Sequence, residues 1–158
     1  MTAVLALLMG VVCGLRAMTA PAAVAWAAYA GWLPLTGSWI AFMGSVWAVL
    51  IFTLAAAMEL VTDQLPSTPS RKVPAQFAAR IAMGALTGAA IGLPYGIWLA
   101  GLVSGVIGAV IGTLGGASLR GKLAARFGSD PPAAFIEDGV AIAGAIVLML
   151  LLPAAPTI

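Results

Sequence analysis

Ile97 to Ala117, IWLAGLVSGVIGAVIGTLGGA, is a run of 21 residues without a charge, and about 20 residues of helix cross the hydrocarbon core of a bilayer. The rest of the chain repeats this character. Apolar blocks run from Thr2 to Cys13, Ala20 to Leu33, Trp39 to Thr62, Phe77 to Gly92 and Ala133 to Leu152. Of 158 residues, 63% are hydrophobic and 8% are charged, whereas a soluble domain carries about 25% charged residues. So few charges cannot cover a water-facing surface. Outer-membrane barrels alternate apolar and polar residues in short segments; these runs are continuous and rich in Ala, Leu and Gly. The fold class expected is all-α, a polytopic transmembrane bundle of five to six segments forming one domain over residues 1–158.

The net charge of +2 arises from seven Lys and Arg against five Asp and Glu, an excess that we read as membrane topology and not as nucleic-acid binding. One cysteine, Cys13, and no histidine remove disulfides, thiolate clusters and imidazole metal sites from consideration, and no cofactor is implied. Met1 to Cys13 lacks the basic start and small-residue cleavage pattern of a signal peptide, so it is expected to stay in the mature chain.

Two linkers are basic: Asp63 to Arg80 holds Arg71, Lys72 and Arg80, and Ser118 to Pro132 holds Arg120, Lys122 and Arg126. Cytoplasmic loops of membrane proteins carry the excess Lys and Arg, which places 63–80 and 118–132 in the cytoplasm. The uncharged linkers, Pro34 to Ser38 and Leu93 to Gly96, then fall on the periplasmic face. Trp32, Trp39, Tyr95 and Trp98 flank them as an interfacial belt does. The chain divides into a first half, 1–62, a cytoplasmic linker, 63–76, a second half, 77–152, and a frayed periplasmic tail, 153–158.

The first 31 residues are too long for one helix, which would also carry Arg16 near the bilayer centre. Gly14 and Pro21 bracket that arginine, and Pro21 fits the first turn of a new helix begun at Thr19 or Ala20. Two arrangements satisfy this: one broken crossing, or a short re-entrant hairpin with Arg16 near the cytoplasmic face. The hairpin gives three segments per half and an inverted repeat, the layout of many small transporters.

Gly84, Gly88, Gly92 and Gly96 recur every four residues, as do Gly101 with Gly105 and Gly108 with Gly112 and Gly116. On helices such rows form flat grooves through which backbones approach closely. They predict either a tightly packed bundle or a homo-oligomer.

Ionised side chains at mid-bilayer cost about 2.5–3.5 kcal/mol on insertion scales, so they are expected in pairs. Glu59 lies one turn before Asp63 on the same helix face. Arg80 opens the fourth block. Ser129 or Asp130 caps the last helix, with Pro131 and Pro132 in its first turn and Glu137 and Asp138 beyond. With Arg16 these form the candidate ion or substrate site: Arg16, Glu59, Asp63, Arg80, Glu137 and Asp138. Expected pairs are Arg16 with Glu59 or Asp63, and Arg80 with Glu137 or Asp138, acting either as a structural clamp or as a cation or proton site.

Taken in order, Gly14-Leu15-Arg16-Ala17-Met18-Thr19, then Glu59-Leu60-Val61-Thr62-Asp63-Gln64-Leu65-Pro66 with Ser70-Arg71, and the late Glu137-Asp138 resemble domain-of-unknown-function family 4126 of small bacterial membrane proteins. The resemblance implies an inner-membrane location and no established activity. A basic residue commonly follows the aspartate in that family, where this chain has Gln64. A second likeness is to cation/proton exchangers with a Glu-x-Gly-Asp-Lys motif, although Glu59 and Asp63 stand one residue further apart and lack its glycine and lysine. The functional expectation is a non-enzymatic transporter or channel-like protein for a small ion or solute. Its alternative is an accessory membrane protein packed through its glycine faces.

Overall fold

The computed structural model describes residues 1–63 and 73–155. It is all-α: α1 Thr2–Leu15, α2 Thr19–Tyr29, α3 Val46–Thr62, α4 Pro74–Gly92, α5 Trp98–Phe127 and α6 Asp130–Leu150, with short 3-10 turns at Ala41–Gly44 and Leu93–Tyr95. Three helices, α4, α5 and α6, are long and apolar enough to cross a membrane, and α1 and α3 are shorter apolar helices. The chain is a multi-pass helical membrane protein.

Side-chain size is sorted in the reverse of a soluble protein. Alanines and glycines fill the interior, including Ala6, Ala25, Ala89, Ala90, Ala109 and Ala141. Trp47, Ile51, Leu54, Met58, Val103, Ile111 and Val140 face outward. Lipid solvates large apolar groups as well as a core does, so helices gain most from close backbone approach and keep bulk on the outside.

Several helix boundaries differ from the blocks read in the sequence. The block from Trp39 becomes helix only at Val46, because Ser45 accepts from the Ala48 amide at 3.1 Å and caps α3. Ile40 and Met43, just before it, are buried in a turn instead. α4 starts at Pro74, where proline loses nothing in the first turn. α5 runs ten residues past Ala117 to Phe127. The charges there marked the end of the apolar stretch, not of the helix, which closes at Gly128 with φ +72°. Arg71 and Lys72 of the first basic linker lie outside the described residues, as does Gln64.

Helix directions follow from which residues meet. Positions on α4 and α5 pair in reverse order, Gly84 with Gly105 and Gly88 with Gly101, and the hairpin turns at Gly96 with φ +71°. On α1, Gly10 lies against Gly105 and Gly14 against Ala109 and Gly112, so α1 runs parallel to α5. Val12 faces Gly144, and Arg16 reaches Asp138, so α1 opposes α6. α2 opposes α3, since Met18 bonds Glu59 and Trp26 bonds Thr53. Thr19 to Trp26 lines one groove with Ile142 to Ile146 of α6. The chain therefore reverses at Arg16–Met18, the hairpin arrangement, and the first three helices run in senses opposite to the last three.

Both ends of the bundle are thereby defined. At one, Trp39 and Trp98 meet edge-to-face at 6.1 Å, joining the two uncharged linkers. Nearby the Tyr95 hydroxyl donates to the Pro153 carbonyl, so the tail expected to fray is tied at its first residue; residues 156–158 lie outside the described part. At the other end sit the charges.

Candidate functional site

A reversal between two packed helices strands buried backbone groups that have no water to turn to, at several kcal/mol each. Here α1 ends with the carbonyls of Gly14 and Leu15, and α2 begins with the amides of Ala17 and Met18. Arg80, from α4, donates to the Gly14 carbonyl at 3.2 Å and the Leu15 carbonyl at 2.8 Å. Glu59, from α3, accepts both amides at 2.8 Å. The two side chains pair with each other at 3.3 Å. One opposite-charge pair from two other helices thus closes both sides of the break. Sequence reasoning placed the cap of α2 at Thr19 or Ala20; the cap residue is Met18 and the capping group comes from α3.

Arg16 is wholly buried. Its guanidinium bridges Asp63, at the end of α3, and Asp138, on α6. Glu59 and Asp63 share a face as expected, yet serve different guanidiniums. The Arg16–Asp63 pairing matches expectation. Arg80 had been assigned to Glu137 or Asp138; it pairs with Glu59, because the chain reversal sets the α1 carbonyls and the end of α3 on the same side of α4.

A third arginine completes the site. Arg120 of α5 holds Asp130 through Nε at 3.0 Å and Nη2 at 2.6 Å, a two-pronged arrangement. It also reaches Glu137 at 3.4 Å and the Asp63 backbone carbonyl at 3.1 Å. Every acidic residue of the chain, all five, is in this network. Arg120 and Asp130 were read in sequence only as topology and as a cap. A signal for Arg120 was present: it extends the row Gly108, Gly112, Gly116 by one further step of four, as Arg80 extends Gly84, Gly88, Gly92 backwards. Residues on one stripe of a helix meet the same neighbours.

The family model described as "Domain of unknown function (DUF4126)" matches residues 3–158. The chain belongs to the DUF4126 family. No curated protein and no solved structure matches it. The family match therefore covers the broken hairpin, the charge network and the glycine contacts together, all on one domain.

The glycine rows lie between the chain's own helices. A Cβ on Gly88 would overlap the Gly101 carbonyl oxygen, one on Gly105 that of Gly84, one on Gly108 that of Leu7, and one on Gly112 that of Val11. Gly84 and Gly92 leave 2.7 and 2.6 Å to the Gly105 and Ile97 oxygens. Gly101 faces Gly88, and Gly116 is buried on the same helix. Gly10 and Gly14 of α1, not read as packing glycines in the sequence, are as tightly enclosed. Their spacing of four was the available signal.

Proposed function

We propose that this DUF4126 protein is a transporter or channel-like protein of the bacterial inner membrane, moving a proton or small monovalent cation through the network around Arg16. The observation that carries this is the wholly buried Arg16, whose guanidinium bridges carboxylates from two other helices, Asp63 and Asp138. Ionisable groups within a membrane bundle are costly, and they mark ion pathways and proton relays. The opposed senses of the two halves support the same assignment.

The basic segments 63–80 and 118–132 then face the cytoplasm, and both termini lie on the periplasmic side. In a Cys13→Ala background, cysteines replacing Gly37 and Lys122 are expected to label from opposite sides; same-side labelling would overturn this orientation. Purified protein in proteoliposomes is expected to dissipate a proton or alkali-ion gradient. No flux across protons, Na⁺ and K⁺ would sink the transport assignment. The second reading, a structural or accessory membrane protein, draws on one observation: Glu59 and Arg80 are spent on backbone groups of the α1–α2 break. We assign those two residues to holding the fold, and Asp63, Glu137 and Asp138 to the ion.

A further inference from the structure

α5 is longer than a bilayer core requires. Its 30 residues, Trp98–Phe127, measure about 45 Å at about 1.5 Å each, whereas the hydrocarbon core is about 30 Å thick and the bilayer with both headgroup layers about 40–45 Å. Trp98, edge-to-face with Trp39, marks one membrane boundary. The charge-free run that ends at Ala117 fills the core. The last ten residues of the helix, from Ser118 to Phe127, therefore lie in the opposite headgroup layer.

Two of those residues are cations that the bundle does not use. Arg120 is spent on Asp130, Glu137 and the Asp63 carbonyl. Lys122 and Arg126, in contrast, are exposed and make no hydrogen bond or ion pair among the described residues. They stand four residues apart, on one face of the helix. That face continues down into the core: Ile111, Gly115, Leu119, Lys122 and Arg126 follow one another at steps of three or four, and every one of them is exposed. Nothing lies within 4 Å of a Cβ built on Gly115. The stripe is apolar at hydrocarbon depth and cationic at headgroup depth.

A glycerophospholipid has the same order, an apolar chain that ends in a phosphate, and basic residues at the membrane surface attract anionic headgroups. We infer that the outward stripe of α5 seats an anionic glycerophospholipid, its acyl chain along Ile111, Gly115 and Leu119 and its phosphate on Lys122 and Arg126. Charge selects this occupant over a second copy of the chain. A second copy would have to bring carboxylates to the two cations, and all five acidic residues are already held in the network around the three arginines. The site rests on the proposed orientation only for its leaflet, the cytoplasmic one; binding itself is read without flux or orientation.

Native mass spectrometry of the full chain in detergent, titrated with phosphatidylglycerol or phosphatidylcholine, measures the bound lipid. Phosphatidylglycerol is expected to bind about tenfold more tightly, and Lys122→Gln/Arg126→Gln to lose that preference. Lys122→Arg/Arg126→Lys keeps both charges and should retain it. So should Arg71→Gln/Lys72→Gln, which removes the same charge from the other basic linker. Equal binding of the two lipids by the wild type would overturn the site, as would a preference that survives the double glutamine variant or falls equally in the Arg71/Lys72 control. Displacement of the lipid by inorganic phosphate at matched ionic strength would reassign the cations to a free anion. A dimer that the double glutamine variant dissociates would put a second copy on the stripe, and either result overturns the lipid. Lipid preference in a protein without measurable flux would leave this site standing and remove only the transport assignment.

Discussion

The seam where α1, α4 and α5 meet and the knot where Arg16, Arg80 and Arg120 gather hold the same helices by opposite means. Along the seam there are almost no side chains: glycine faces carbonyl, and the contact is dispersion and weak Cα–H···O bonding between backbones. At the knot there is little else but side chains, eight of them charged and long enough to change partners. A backbone contact has no second arrangement, because nothing in it can rotate away. A guanidinium with two or three acceptors has several. The contacts along the seam are thus fixed ones, and the contacts that can be exchanged lie at the charged end. Within the knot the same division recurs. Arg80 and Glu59 bind backbone, which stays where it is, whereas Arg16 and Arg120 bridge carboxylates.

Seam substitutions should therefore have the largest effect. Gly105→Leu puts a side chain into the Gly84 carbonyl and the Gly88 Cα of α4. It should cost more than about 3 kcal/mol, beyond ordinary overpacking of a core, and abolish recovery of monodisperse protein in detergent. Gly115→Leu, on the same helix with nothing within 4 Å of its Cβ, should be tolerated. If size-exclusion profiles and thermal unfolding show the two variants alike, the seam is not what holds α1, α4 and α5 together.

The fixed half of the knot comes next. Glu59→Gln keeps an acceptor for one of the two amides but discards the charge that balances Arg80. We expect a loss of about 2–4 kcal/mol, near the cost of stranding a buried partner, reduced by the acceptor that remains. Thermal unfolding in detergent measures it, and Glu59→Ala should fall further. An unchanged midpoint for both would mean that the break is held by something other than Glu59.

Most of the seam was legible before the structure, since glycines at intervals of four can face only one way on a helix. Gly10 and Gly14 escaped notice because a pair makes a weaker pattern than a row. The knot was legible in its members and less so in its partners. Charge in a membrane marks a residue as significant without saying where its helix will sit. The exchange of Arg80 from Glu137 or Asp138 to Glu59 depends on the reversal at Arg16–Met18, and local sequence left that reversal open between a broken crossing and a hairpin. Arg120 was left out of the candidate site for a different reason. Basic residues after an apolar run signal the membrane boundary, and that signal is the same whether the helix stops there or continues, as α5 does, for ten more residues.

The division of the knot into a fixed and an exchangeable half is tested most directly by measuring flux and stability side by side for Asp138→Asn and Glu59→Gln. Asp138 bonds Arg16, which keeps Asp63 as a second partner. Asp138→Asn should consequently shift stability by less than about 1.5 kcal/mol while eliminating proton or cation flux in proteoliposomes. Glu59→Gln should destabilise the protein by more than that, and molecules that remain folded should retain flux. The contradictory result is the reverse pattern: an Asp138→Asn protein that unfolds as readily as Glu59→Gln and carries ions at the wild-type rate while it lasts.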